Sequence, residues 1–92
     1  MKVSLVVPCF NEADNLPRLF AEIDAVVQGA ALDAEIILVD DGSVDGTRDL
    51  IVERASADPH YKAVVFRRNY GQTAAMAAGI DHASGDVIIP LD

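Results

Sequence analysis

The sequence predicts an α/β fold, a three-layer sandwich around a mainly parallel sheet, and three observations lead there. Ile36-Ile37-Leu38-Val39 is an unbroken aliphatic run, the mark of a strand buried on both faces, as parallel strands covered by helices are. That run stops abruptly at Asp40-Asp41-Gly42. Adjacent carboxylates are costly to bury unpaired, so the pair is expected at the sheet's carboxyl edge, facing solvent, a cation or a ligand. Finally, extended apolar stretches alternate with helical ones in the order βαβαβαβ, with crossovers long enough for right-handed parallel units.

The elements follow in order. Lys2 to Pro8 reads as a first strand, Pro8 standing where the ladder no longer needs an N–H. A loop, Cys9 to Glu12, leads to a helix with Asn15 as N-cap and Pro17 in its first turn. Leu16, Leu19, Phe20, Ile23, Val26 and Val27 share one face of that helix, which runs to Gln28 and stops at Gly29. Ala34 to Asp40 is the second strand. Ser43 or Asp45 caps a second helix that turns Leu50, Ile51 and Ala55 inward until Asp58-Pro59 ends it. Lys62 to Arg67 is a third strand. A small-residue helix from Gln72 to Ala83 sets Ala75, Ala78 and Gly79 on a face that lies close to the sheet. Asp86 to Asp92 is a fourth strand that ends on a carboxylate. Its apolar Val87-Ile88-Ile89 would make an unprotected edge, so residues 1–92 are expected to be the N-terminal part of a longer protein.

Bulk composition narrows the function. Fifteen acidic residues against seven basic ones give a net charge of −8, which argues against nucleic acid or an anionic membrane as a direct partner. An acidic sheet edge that holds an anionic ligand calls for a divalent cation. No apolar run approaches the roughly 20 residues of a membrane span, so a cytoplasmic location is expected and membrane contact only through parts outside this sequence. The single cysteine, Cys9, excludes an internal disulfide and reads as buried filler.

Familiar phosphate loops are missing. No G-x-G-x-x-G follows the first strand and no G-x-x-x-x-G-K-[ST] occurs, which removes NAD, FAD and P-loop chemistry. Asp41, Ser43 and Asp45 partly match a calcium loop, but Val52 stands where the bidentate glutamate is required. A phosphoacceptor receiver is disfavoured because its acidic pair follows the first strand. Successive residues at a strand end point opposite ways, so only one of Asp40 and Asp41 faces a crevice. Asp40 is assigned the bracing of the Gly42 and Ser43 amides, and Asp45 the capping of a helix. Phe10 has no apolar periodicity to belong to; it either packs or stacks on a ligand, and an aromatic face beside a carboxylate suits a nucleobase. Glu12 either serves the helix dipole or contacts the ligand. Arg67 and Arg68 are either solvated or approach a diphosphate. His60 and His82 lack a second ligand at metal spacing.

Together, Val6-Val7-Pro8-Cys9-Phe10-Asn11-Glu12, Leu38-Val39-Asp40-Asp41-Gly42-Ser43-Val44-Asp45-Gly46-Thr47, Arg68-Asn69-Tyr70-Gly71-Gln72 and Ser84-Gly85-Asp86-Val87-Ile88-Ile89-Pro90-Leu91-Asp92 resemble the N-terminal, nucleotide-binding half of glycosyltransferase family 2. The Arg-Asn-Tyr-Gly-Gln segment looks most like the polyprenyl-phosphate sugar transferases. This resemblance covers the whole chain. It implies a GT-A fold with a Rossmann-like half, a nucleotide-diphosphate-sugar donor, a lipid-phosphate acceptor and Mg²⁺ or Mn²⁺. It further implies that Pro8, Phe10 and Glu12 wall the nucleoside, with Phe10 keeping the stacking face of the usual tyrosine and losing its hydroxyl. Asp41 is implied to contact the base, Arg68 and Gln72 to bind substrate, and Asp92 to be the first carboxylate of a metal-binding D-x-D. The second D-x-D carboxylate and any catalytic base are expected beyond Asp92. A second reading keeps the sheet without the chemistry: a non-catalytic binding or interaction module. An acidic residue two positions after Asp92 separates the two.

Overall fold

The computed structural model describes residues 1–91. Four strands and three helices alternate: β1 Lys2–Cys9, α1 Leu16–Gly29, β2 Asp33–Asp40, α2 Thr47–Ala57, β3 Tyr61–Val65, α3 Gln72–Asp81 and β4 Val87–Pro90. The sheet order is β3-β2-β1-β4, and every pairing is parallel. Three layers result from the pleat. Val3, Leu5, Val7, Ile36 and Leu38 pack with Leu16, Phe20, Ile23 and Ile51 of α1 and α2. Val6, Ile37 and Val39 turn to the other face, against Ala75 of α3. The chain steps from β1 outward to β3, then returns to place β4 on the far side of β1. That reversal puts a topological switch point between β1 and β4, and ligands of open α/β sheets bind beside such points.

α3 does lie close to the sheet. A Cβ on Gly79 would fall 2.2 Å from Val6 Cγ1 and 3.2 Å from Val39 Cγ2, so only glycine fits. Several boundaries differ from the sequence expectation, each for a local reason. Asn15 occupies the N-cap of α1, but its side chain donates to Glu12 Oε2 at 2.9 Å and caps nothing. Val26 is exposed rather than inward, being at the edge of the apolar stripe. β3 begins at Tyr61 and ends at Val65, and the N–H of Phe66 closes its ladder on Asp40 O at 2.9 Å. α3 stops at Asp81, where the N–H of His82 takes the Ala78 and Gly79 carbonyls.

At the amino edge of the sheet a buried glutamate ties β4 down. Glu35 Oε2 accepts from Ser4 Oγ (2.5 Å), Ser84 N–H (2.6 Å) and Ser84 Oγ (2.9 Å), and Lys62 Nζ stands 2.6 Å from Oε1. Burial alone raises a carboxyl pKa, but the bonds from Lys62, Ser4 and Ser84 outweigh it and hold Glu35 well below the usual carboxylate range. Ser4 Oγ also accepts from Gly85 N–H at 2.9 Å, so the α3–β4 turn is fixed before β4 starts. β4 itself is an edge strand, with Val87, Ile88 and Ile89 each about 40% exposed. Among the described residues no helix is long and apolar enough to cross a membrane.

Candidate functional site

At the carboxyl edge the β1–α1 and β2–α2 loops are strapped to each other. Asn11, held at φ 52° in the left-handed region that asparagine tolerates, donates its N–H to Ser43 Oγ and accepts from Val44 N–H at Oδ1, both at 2.9 Å. Glu12 N–H reaches Thr47 Oγ1 at 2.8 Å and Ala13 N–H reaches Asp45 Oδ2 at 3.2 Å. Four cross-loop bonds therefore hold the stretch that carries Phe10 and Glu12. Asp45 also accepts from the N–H and Oγ1 of Thr47, one residue ahead of the geometric N-cap Gly46. Those bonds keep its carboxyl below the usual range. Ser43, the other expected cap, is instead part of the strap.

The acidic pair divides as the pleat requires, but both members are buried rather than open to solvent: Asp40 is 1% exposed and Asp41 is 3% exposed. Hydrogen bonding compensates Asp41 fully and Asp40 in part, since Asp40 Oδ2 is buried without a partner among the described residues. Asp40 Oδ1 accepts from Ser43 N–H at 3.2 Å, the bracing role expected of it, though without the Gly42 amide. Asp41 engages the segment after β3. Its Oδ1 accepts from Tyr70 N–H at 2.8 Å, and its Oδ2 and backbone carbonyl both accept from Asn69 Nδ2, at 3.0 and 3.1 Å. Gly42 permits this contact. It sits at φ 73°, and a Cβ there would lie 2.1 Å from the Arg68 carbonyl carbon and 2.3 Å from Asn69 N.

An open cleft of about 510 Å³ results, lined by Pro8, Cys9, Phe10, Glu12, Asp41, Asn69, Gly71 and Gln72. The end of β1, the loops after β1 and β2, and the start of α3 thus bring five residues picked out from the sequence, Pro8, Phe10, Glu12, Asp41 and Gln72, to one place. Phe10 is 45% exposed there, a ring face free to stack. Arg68 is not in the lining; its guanidinium lies 4.9 Å over the ring of Tyr70, which in turn packs edge-on against Phe66. Asp92 lies outside the described residues. The charged side chains of the described lining, Glu12 and Asp41, are both acidic. Cys9 is buried with Sγ donating to Val7 O, and its thiol is pushed up to about 12 by burial and by the charges of Glu12 and Asp40. His60 pairs with Asp58 and His82 with the Ala78 carbonyl, away from the cleft.

Sequence reasoning missed Asn69, Asn11 and Thr47 as builders of the cleft. Their common signal is a short polar side chain just past a strand end, where loop amides need partners.

Comparison with known proteins places the chain in a family and the fold among solved structures. Over an alignment of 92 residues the chain is 50% identical to the undecaprenyl-phosphate 4-deoxy-4-formamido-L-arabinose transferase of Erwinia tasmaniensis, covering 99% of this chain and 28% of that protein. The chain therefore spans little more than a quarter of the length of this relative. Among solved structures, S. aureus TarS 1-349 superposes with a TM-score of 0.79 at 22% identity, over 100% of this chain and 27% of that one. Mannosyltransferase PcManGT from Pyrobaculum calidifontis, in complex with GDP-Man and Mn²⁺, superposes with a TM-score of 0.71 at 25% identity, over 94% and 25% respectively. The family model for glycosyl transferase family 2 matches residues 4–92, and the chain belongs to that family.

Proposed function

We propose that this chain is the donor-binding, N-terminal part of an enzyme that transfers a sugar from a nucleoside-diphosphate sugar to a polyprenyl phosphate. The convergence of Pro8, Phe10, Glu12, Asp41 and Gln72 on one cleft at the carboxyl edge of a parallel sheet carries this reading. The family membership, the transferase activity named for the relative at 50% identity and the GDP-Man bound by PcManGT support it. Phe10 stacks on the base, Asp41 accepts a base N–H, and Pro8 and Glu12 wall the nucleoside. Gln72 faces the sugar-diphosphate side, and Arg68 joins it by turning away from Tyr70. An acceptor phosphate oxygen attacks the anomeric carbon, the bond from that carbon to the diphosphate oxygen breaks, and the nucleoside diphosphate departs with the electron pair. The reaction belongs to the cytoplasmic side, where nucleotide sugars are found.

A divalent cation, Mg²⁺ or Mn²⁺, is part of the proposal through Asp92. When bound, such an ion neutralises charge on the departing diphosphate. Among the described residues no three His, Cys, Asp or Glu side chains cluster to hold a metal, so these residues do not form a metal centre by themselves. The contribution of the described residues is to seat and orient the nucleoside.

Calorimetry of the intact protein with UDP, GDP and their sugars, with and without Mn²⁺, tests the reading. Saturable binding of at least one nucleotide, lost in Asp41→Ala, is the expected result. Absence of binding under every condition defeats it.

A further inference from the structure

Asp41 is oriented by one side chain. Its carboxylate and its own carbonyl are bridged by the single Nδ2 of Asn69, at 3.0 and 3.1 Å, while its second carboxylate oxygen takes Tyr70 N–H at 2.8 Å. Asn69 is itself part of the cleft lining. The contact is close enough that Gly42 admits no side chain between the Asp41 loop and the 68–69 backbone. Each carboxylate oxygen has two acceptor positions, so Asp41 retains acceptor capacity after both internal bonds are made. Because Asn69 spends its donor on Asp41, that part of the cleft offers a fixed anionic acceptor.

A fixed anionic acceptor discriminates among nucleobases. Uracil and guanine carry a ring N–H on the Watson–Crick edge. Cytosine and adenine carry a bare ring nitrogen there, whose lone pair faces the carboxylate unfavourably, and their donor on that edge is the exocyclic amine beside it, which meets the carboxylate only if the base or the carboxylate shifts. An acceptor held in one orientation cannot follow that shift, so it is left poorly paired by a base whose donor stands elsewhere on the edge. We propose that Asn69 is a specificity-determining positioning residue, holding Asp41 so that the cleft selects nucleotides with a ring N–H over those without. The inference rests on the nucleotide reading above and adds base selectivity to it.

The test compares UDP with CDP, and GDP with ADP, by calorimetry on the intact wild-type protein and on Asn69→Ala and Asn69→Asp. Asn69→Asp keeps the shape and removes the donor. The wild type is expected to prefer UDP to CDP, or GDP to ADP. In both folded variants that ratio is expected to fall by about ten-fold or more, the worth of one hydrogen bond to a charged group. A general loss of cleft structure would weaken all four nucleotides alike and leave the ratio unchanged, which overturns the inference, as does a variant that binds like wild type. Should neither variant fold, nitrogen-resolved NMR of the wild type decides: the Asn69 side-chain amide signals move with UDP and stay in place with CDP, and equal movement with both refutes the role. A wild type that binds no nucleotide overturns the underlying reading itself, whereas wild-type binding without base preference overturns only this inference.

Discussion

Gly42→Ala is the substitution that most directly loads the joint between the acidic pair and the loop after β3. The residue sits at φ 73°, where an L side chain costs about 1–2 kcal/mol. An added Cβ would lie 2.1 Å from Arg68 C, 2.3 Å from Asn69 N and 2.6 Å from Arg68 O. All three are backbone atoms, so relief requires the chain at 68–69 to move, an overpacking cost of about 1–3 kcal/mol. Moving that chain also loosens the Asn69 and Tyr70 bonds to Asp41, each worth about 1.5–3 kcal/mol as bonds to a charged group. Because the costs overlap, the expected loss is about 3–5 kcal/mol in urea unfolding, accompanied by weaker nucleotide binding. Gly29→Ala is the matched control, since its Cβ meets nothing within 4 Å and its φ is not left-handed. It should be neutral or stabilising by up to about 1 kcal/mol. Equal stability of the two alanine variants would refute the reasoning.

Gly79→Ala gains helix propensity of about 1 kcal/mol but drives a methyl onto buried Val6 and Val39, so thermal unfolding should report a net loss, larger still for Gly79→Val. Glu35 has its folded pKa below its unfolded one, so its contribution is complete above about pH 5 and disappears as pH falls toward the folded value. Glu35→Gln should therefore lower the urea midpoint much more at pH 7 than at pH 3, and equal shifts at the two values would contradict the ion-pair account. With its thiol near 12 and the side chain buried, Cys9 should react with a thiol reagent at pH 8 only on unfolding; rapid labelling of the native protein would count against the packing described.

The alternation of strands and helices was legible because each signal is local: aliphatic runs at 36–39 and 87–89, the stripe from Leu16 to Ile23, and the small face of α3. The split of Asp40 from Asp41 followed from the pleat alone. Convergence of Phe10 and Asp41 on one cleft followed from parallel strands ending at a shared edge. What stayed hidden depends on partners far along the chain. Glu35 looks out of place among Ala34, Ile36 and Ile37 until Lys62, Ser4 and Ser84 are brought around it. The sheet order requires knowing that β4 pairs with β1. Asn69 and Arg68 are adjacent polar residues in a turn, and only the fold sends one to Asp41 and the other to Tyr70. Burial of Asp41 was missed because its compensating donors, Asn69 and Tyr70, belong to another loop.

The most direct test is a crystal structure of the intact protein with a bound nucleoside diphosphate. The base should lie against the Phe10 ring with its N–H on the Asp41 carboxylate, in the cleft closed by Asn69 and Gln72. A nucleotide seated elsewhere, for instance in the groove between α1 and α2 lined by Phe20, Asp24 and Arg54, would contradict the assignment of the donor site.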